Sequence, residues 1–147
     1  FRSDEYVKSF FSGVDVSKVL TVGDIARRLQ VTLIERAGLG IESAIERLRR
    51  QEREFAVLVD AKQKFAGVVT LASLDRARRD GNGLAEARVD TAPLRADQAL
   101  SDVLTDVARA PTPTPVVDAD GRYVGTVSRA VLLEALAGID EQEERAA

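Results

Sequence analysis

The stretch VLVDAKQKFAGVVTLASLDRA, from Val57 to Ala77, recurs as PVVDADGRYVGTVSRAVLLEA, from Pro115 to Ala135. A constant offset of 58 residues aligns the two copies without a gap. The identical pairs are Val59 with Val117, Asp60 with Asp118, Ala61 with Ala119, Gly67 with Gly125, Val69 with Val127, Ala72 with Ala130, Leu74 with Leu132 and Ala77 with Ala135. Because chance rarely produces so long a match in a domain-sized chain, we interpret the chain as an internal duplication.

Each copy has the pattern of a strand, a hairpin turn, a second strand and a helix. In the second copy the turn contains Asp120-Gly121, a strong hairpin signal because glycine accepts a positive φ. Gly67 and Gly125 interrupt the second strand of each copy, which indicates a bulge or the close approach of another backbone. Thr70 and Ser128 precede apolar residues at helical spacing and are predicted to be helix N-caps.

A helix and a short β-prone segment precede each copy. Apolar residues recur at helical spacing over Ile41–Leu48 and Leu100–Val107, and the β-prone segments are Val31–Ile34 and, more weakly, Asp90–Leu94. The sequence therefore predicts a mixed α/β (α+β) fold of two β-α-β-β-α repeats, packed around a pseudo-two-fold axis.

The predicted repeats occupy residues 31–80 and 84–138. Residues 1–30 are expected to be a linker and helical segment, with a short helix over Tyr6–Phe11 and a second one opened by a Thr21–Asp24 capping box and running through Arg28. Residues 139–147 form an acidic tail that is expected to be disordered.

The composition excludes several kinds of chemistry. The chain has no Cys and no His, which excludes disulfides, thiolate metal sites, Ser-His-Asp triads and most zinc sites. It has neither a Gly-x-x-x-x-Gly-Lys phosphate loop nor an apolar run long enough to span a membrane. We therefore expect a non-catalytic module without a metal ion or a required cofactor.

Arginines cluster in the first half of a chain whose formal net charge is −3. The first cluster, Arg47 to Arg53, is interleaved with glutamates, so we interpret it as a solvated helix face rather than an anion-facing patch. The acidic balance, and the absence of aromatic residues among these arginines, argue against nucleic-acid binding.

The second copy resembles a known motif. PVVDADGRYVGTVSRAVLL, from Pro115 to Leu133, is similar to the CBS motif, which occurs in tandem pairs called Bateman modules. YVKSFFSGVDVSKVLTVGDIARR, from Tyr6 to Arg28, resembles the join between the ATPase domain and the CBS pair in ATP-binding subunits of glycine betaine and proline ABC importers.

This resemblance implies a C-terminal regulatory fragment of a longer, osmoregulatory ATPase subunit. The implied partners are a second copy, through a homodimer of CBS pairs, the upstream ATPase domain and the transporter's permease subunits. The implied location is the cytoplasm, at the inner face of the cell membrane and attached to it only through the transporter.

The resemblance also implies an adenine-nucleotide ligand between the motifs. The family's phosphate-facing hydroxyls are present as Thr70 and Ser128, but its ribose-binding aspartates are replaced by Ser73 and Val131. Cyclic di-AMP is favoured over AMP and ATP because it depends less on those aspartates. The candidate ligand-binding residues are Thr32, Thr70, Ser73, Ala92, Pro93, Thr112, Thr114, Pro115, Val116, Ser128 and Arg129.

Two simpler interpretations stay open. In the first, Thr70 and Ser128 are N-caps and bind no ligand. In the second, the Pro111–Pro115 loop is a rigid connector between a helix and a strand and lines no binding site. The module would then be a ligand-free dimerisation unit or a sensor of ionic strength.

Overall fold

The computed structural model describes the backbone of residues 20–36 and 39–146, and the side chains of these residues as far as Gly138. The elements are α1 (Val22–Ile25), β1 (Val31–Ile34), α2 (Ile41–Arg50), β2 (Phe55–Val59), β3 (Phe65–Thr70), α3 (Leu71–Arg79), a 3₁₀ turn (Leu84–Ala87), β4 (Leu94–Arg95), a second 3₁₀ turn (Leu100–Asp102), α4 (Leu104–Arg109), β5 (Thr114–Val117), β6 (Tyr123–Val127) and α5 (Arg129–Ala146). The expected helix at Tyr6–Phe11 lies outside the described residues.

The two copies of the repeat form two three-stranded sheets, β1-β2-β3 and β4-β5-β6. In the first sheet, β1 runs parallel to β2, and β2 runs antiparallel to β3. In the second sheet, the two-residue strand β4 runs parallel to β5, with Leu94 opposite Val116. The predicted mixed fold with two β-α-β-β-α repeats is confirmed.

The first structural unit contains residues 29–92 and 120–123. Its central strand β2, with the sequence FAVLV, is buried along its whole length. Ala56 and Leu58 pack with the apolar faces of α2 and α3. Phe55 and Val57 pack with Tyr123 on the opposite face of the sheet. Because both faces are covered, the strand is continuously apolar instead of alternating.

Two hairpin turns pair within this first unit. The N–H of Phe65 donates to the carbonyl of Gly121 at 3.0 Å, and the N–H of Tyr123 donates to the carbonyl of Gln63 at 2.9 Å. Gly121 has the positive φ expected of an Asp-Gly turn, at 80°. Gln63 occupies the matching position of the first copy and has a φ of 67° without being glycine.

The second structural unit contains, among the described residues, 20–28, 93–119 and 124–146. The predicted start of α1 is correct, since the N–H of Thr21 donates to Asp24 Oδ2 at 2.8 Å. The predicted end at Arg28 is wrong because the helix ends at Ile25. Beyond it, Arg27 and Thr126 exchange two backbone hydrogen bonds of 2.9 and 2.8 Å, which requires an extended chain.

The segments that precede the two repeats are exchanged between the units. Arg27, which precedes the first repeat, pairs with Thr126 of the second, while Val89, which precedes the second repeat, pairs with Val68 of the first. Thr126 and Val68 are equivalent under the 58-residue offset. Each unit is therefore completed by a segment that lies before the other repeat in the chain.

The glycine of each second strand lies where an exchanged segment crosses it. A Cβ on Gly125 would stand 3.0 Å from the backbone of Arg27, and a Cβ on Gly67 would stand 3.2 Å from the side chain of Arg88. The φ angles of Gly125 and Gly67 are 154° and 149°. The expected close approach of another backbone is thus present at Gly125.

The structure corrects one predicted helix and extends another. The expected helix over Leu100–Val107 is divided at Val103, whose φ of −120° separates the 3₁₀ turn from α4. The apolar side chains of this segment are nevertheless buried in the core of the second unit. Toward the C-terminus, the backbone of the acidic segment continues α5 to Ala146, in keeping with the helix propensity of its glutamates.

Candidate functional site

An open cleft of about 360 Å³ lies in the second unit where the proline-rich loop meets the start of α5. We call it the proline-loop cleft, and it is lined by Ala110, Pro111, Thr112, Pro113, Ser128, Arg129 and Ala130. Its volume falls at the lower end of the range for small-molecule sites. Three of the candidate residues, Thr112, Ser128 and Arg129, come together here.

Ser128 is the N-cap of α5, as predicted. The N–H of Val131 donates to Ser128 Oγ at 3.1 Å. A helix N-terminus leaves several backbone N–H groups without partners inside the helix, and its dipole favours negative charge. Since Ser128, Arg129 and Ala130 line the cleft, the first turn of an 18-residue helix faces it. This geometry suits an anionic group.

Arg129 brings a positive charge to the same cleft and is held by the main chain. Both its Nε, at 3.0 Å, and one terminal nitrogen donate to the carbonyl of Ala108. Ala108 belongs to the last turn of α4, where carbonyl groups lack helical partners. A guanidinium has five N–H donors, so further donors stay available in a fixed orientation.

The position of the second expected ribose carboxylate is apolar. Val131 is 6% exposed and lies one helical turn after Ser128. It offers no hydrogen-bond acceptor through its side chain. The side chain at this position therefore cannot bind the hydroxyl groups of a ribose.

Proteins of known function are similar in sequence to this chain. No family model matches the chain. The glycine betaine/proline betaine transport system ATP-binding protein ProV of Escherichia coli (strain K12) is 42% identical over 137 residues, which cover 91% of this chain and 34% of ProV. The chain spans about a third of the length of this relative.

Two solved structures are similar over most of the chain. CbpB in complex with c-di-AMP matches with a TM-score of 0.78 at 10% identity, over 97% of this chain and 99% of CbpB. A CBS domain pair/ACT domain protein from Thermotoga maritima matches with a TM-score of 0.63 at 21% identity, over 82% of this chain and 98% of that protein. The chain has the fold of a tandem CBS-domain pair. It is homologous to a region of the betaine transport ATP-binding subunits, which confirms the resemblance found in the sequence.

In the first repeat of this CBS pair, the side chains of Thr70 and Ser73 each bond to the backbone of the other residue. The N–H of Ser73 donates to Thr70 Oγ1 at 3.0 Å, and the N–H of Thr70 donates to Ser73 Oγ at 2.9 Å. Ser73 Oγ also donates to the carbonyl of Thr70. Thr70 is therefore the predicted N-cap of α3, and Ser73, which replaces the family's aspartate, completes a capping box.

The other candidate residues of the CBS pair lie apart from the lining of the proline-loop cleft. Thr114, Pro115 and Val116 form the start of β5, where Pro115 and Val116 are buried. Ala92 and Pro93 precede β4, with Ala92 exposed and Pro93 half-buried. Thr32 lies on β1, and its hydroxyl donates to the carbonyl of Gln30 at 3.5 Å.

A second open groove, of about 300 Å³, lies in the first unit of the CBS pair and was not foreseen from the sequence. We call it the arginine groove, and it is lined by Leu33, Ile34, Arg36, Leu39, Ser43, Glu46, Arg47 and Arg50. The sequence signal for this groove is the first arginine cluster, whose interleaved glutamates indicate a solvated helix face instead.

Two further features bear on the site. Among the described residues, no cluster of three or more acidic side chains is arranged to hold a metal ion. No helix in the described part of the chain is long and apolar enough to cross a membrane.

Proposed function

We propose that this CBS pair is the regulatory module of the ATP-binding subunit of a glycine betaine/proline betaine ABC importer. The identity to ProV over 91% of the chain supports this assignment. In this proposal the module pairs with a second copy in a homodimer, adjoins an ATPase domain and acts on permease subunits at the inner face of the membrane. Its role is osmotic regulation, without chemistry of its own.

The proposed ligand is an adenine nucleotide, with cyclic di-AMP favoured over AMP and ATP. CbpB, whose fold matches 97% of the chain, has a crystal structure in complex with c-di-AMP. Cyclic di-AMP carries two phosphates and has a two-fold shape, which suits the interface of a symmetric dimer. The absence of a carboxylate at Val131 disfavours ligands that are recognised chiefly through the ribose of a mononucleotide.

The observation that carries the proposal is the meeting of Ser128, Arg129 and the proline-rich loop in one cleft. The first turn of α5 and the anchored guanidinium present positive charge, which suits a phosphate. The loop from Pro111 to Pro113 lacks two backbone N–H groups, so its carbonyls have fewer internal donors and suit the amino group of adenine. Phosphate and base would thus be recognised by different walls of the cleft.

Regulation by such a ligand requires different affinities for two arrangements of the dimer. A nucleotide that binds one arrangement more tightly shifts the population toward it, and ATPase closure follows that population. Binding alone, with equal affinity for both arrangements, would change nothing.

Calorimetric titration with cyclic di-AMP, AMP and ATP tests the ligand. We expect saturable binding of cyclic di-AMP at one ligand per two chains, and weaker binding of AMP and ATP. No heat with any of the three, from a folded and dimeric sample, would refute nucleotide sensing and leave the assignment to the transporter family intact.

Ionic-strength sensing is the second candidate function, and the ion pairs of α2 and α3 favour it. Asp75 binds Arg78 at 2.8 Å and faces Arg49 at 3.7 Å, while Arg78 also faces Glu42 at 3.6 Å. These side chains are partly or largely solvent-exposed, so salt screens their attraction over a Debye length of about 8–10 Å.

Salt dependence without nucleotide separates the two candidate functions. A sensor of ionic strength changes its dimer arrangement between low and moderate salt in the absence of ligand, and Asp75→Asn reduces that change. A nucleotide sensor shows the same dimer arrangement at both salt concentrations until the ligand is added. Small-angle scattering of the dimer distinguishes these outcomes.

A further inference from the structure

The arginine groove carries an excess of positive charge that its own residues do not neutralise. Arg36, Arg47 and Arg50 line it together with one carboxylate, Glu46. Glu46 forms an ion pair with Arg50, at 3.6 Å. In the part of the chain that the structure describes, neither Arg36 nor Arg47 has an ion pair or a hydrogen bond through its guanidinium. Two positive charges are therefore left for an external partner.

This lack of partners distinguishes Arg36 and Arg47 from three other arginines of the same unit. Arg49, Arg78 and Arg88 each have a carboxylate within ion-pair distance. Arg47 is moreover half-buried, so it is less fully hydrated than an arginine that projects into solvent. A partly desolvated guanidinium without an internal anion gains most from an external one.

The walls of the groove provide both hydrogen bonding and apolar contact. Ser43 lies one helical turn before Arg47 on α2, so their side chains share one face of the helix. Leu33, Ile34 and Leu39 line the groove as well, and Ile34 is 42% exposed although it is a large aliphatic side chain. The groove thus combines guanidinium groups, a hydroxyl and an exposed apolar surface.

We propose that the arginine groove binds a small organic anion, with its phosphate or carboxylate group on Arg36 and Arg47 and its apolar body against Ile34 and Leu39. The volume of about 300 Å³ fits a ligand of one ring with its charged group. The site belongs to the first unit and shares no residue with the proline-loop cleft. It is therefore a second ligand site, whose existence does not depend on nucleotide sensing.

Titration of the isotope-labelled chain with phenyl phosphate, followed by amide NMR spectra, tests this site. We expect saturable shifts of the Leu39, Ser43 and Arg47 signals. Benzoate, titrated in parallel, shows whether a carboxylate serves as well as a phosphate. Benzyl alcohol, which has the ring without the charge, should give no saturable shift at these residues.

Neutral variants with a matched control identify the side chains that bind phenyl phosphate. Arg47→Gln and Arg36→Gln should each weaken phenyl phosphate binding about tenfold, equivalent to about 1.4 kcal/mol, since each removes a hydrogen bond to the charged group. Arg53→Gln removes an equal charge just beyond α2 and should change the affinity less than twofold. The amide spectrum of each variant reports whether it is folded.

Either of two results would overturn the proposal. The first is an absence of saturable shifts at the groove with both phenyl phosphate and benzoate. The second is an equal loss of affinity in Arg47→Gln and Arg53→Gln, which would show that only overall charge attracts the anion. Both results are independent of whether cyclic di-AMP binds the second unit.

Discussion

The guanidinium of Arg129 donates from Nε to the main-chain carbonyl of Ala108 at 3.0 Å, and thereby joins the start of α5 to the end of α4. Both helix ends border the loop Ala110–Pro113, which lines the proline-loop cleft. Arg129 therefore shapes the cleft before any ligand arrives, besides offering a charge to one.

Replacing Arg129 should reduce stability even without a ligand. Arg129→Ala removes the donor from the Ala108 carbonyl, and we expect the free energy of unfolding to fall by about 1 kcal/mol. Urea unfolding measures the change, and Arg76→Ala, at an exposed position of α3, serves as the control. An Arg129→Ala variant no less stable than Arg76→Ala would show that the hydrogen bond to Ala108 does not stabilise the fold.

Gly125 should tolerate alanine less well than Gly67 or Gly138. The new Cβ would meet the backbone of Arg27 at 3.0 Å, and a φ of 154° is strained for any other residue. We expect Gly125→Ala to cost about 2–4 kcal/mol in thermal or urea unfolding.

Alanine variants of two other glycines serve as comparisons for this prediction. Gly67→Ala should cost less, because the nearest atoms belong to the flexible side chain of Arg88. Gly138→Ala should stabilise by about 1 kcal/mol, since it lies inside α5 with open space around its Cα. If all three variants had equal stability, the exchanged segment at Arg27 would not cross β6 as described.

Replacing Gln63 with glycine should stabilise the fold. It has a φ of 67° in the turn where the second copy has Gly121, and a left-handed conformation costs a residue with a Cβ about 1 kcal/mol. We expect Gln63→Gly to raise the free energy of unfolding by about 0.5–1 kcal/mol. The control Gln51→Gly, at a negative φ of −91°, should not stabilise. A destabilised Gln63→Gly variant would contradict this account of the turn.

Asp97 should titrate below the ordinary range of aspartates. Arg95 donates to its carboxylate from Nε and a terminal nitrogen at 3.0 and 3.1 Å, and this hydrogen bonding lowers the pKa of Asp97. Because the pKa is lower in the folded state, the pair stabilises the fold above the unfolded-state pKa of about 3.9, and this contribution is lost as the pH falls through the folded-state pKa.

Carboxyl NMR titration measures this shift directly. In Arg95→Gln the pKa of Asp97 should return toward its ordinary value, whereas in Arg76→Gln it should stay low. An unchanged pKa in Arg95→Gln would mean that the pair does not persist in solution.

Much of the fold could be predicted because its signals are local. The Asp120-Gly121 turn and the Thr70 and Ser128 caps depend on a few neighbouring residues, and the structure confirms each of them. The exchange of the segments at Arg27 and Val89 could not be predicted, because backbone pairing over such a separation has no side-chain signature. Gly67 and Gly125 are the traces of this exchange in the sequence.

The candidate site shows the same division. Thr112, Ser128 and Arg129 are candidates from the sequence resemblance, and they line one cleft in the structure. The bond from Arg129 to Ala108 could not be predicted, because it depends on how α4 and α5 pack. The arginine groove was missed because charge spacing along α2 indicated mutual ion pairs. In the structure Glu46 pairs with Arg50, and Arg47 is left without a carboxylate among the described residues.

The affinity for cyclic di-AMP of Ser128→Asp, compared with Thr70→Asp, tests the central claim most directly. Aspartate is a good N-cap, so both variants should keep their helices, yet each places a negative charge at the start of one of them. We predict that Ser128→Asp weakens binding by at least about tenfold, through repulsion of the phosphates in the proline-loop cleft, while Thr70→Asp leaves it nearly unchanged. Equal affinities in the two variants, or a loss confined to Thr70→Asp, would contradict the placement of the nucleotide in the second unit.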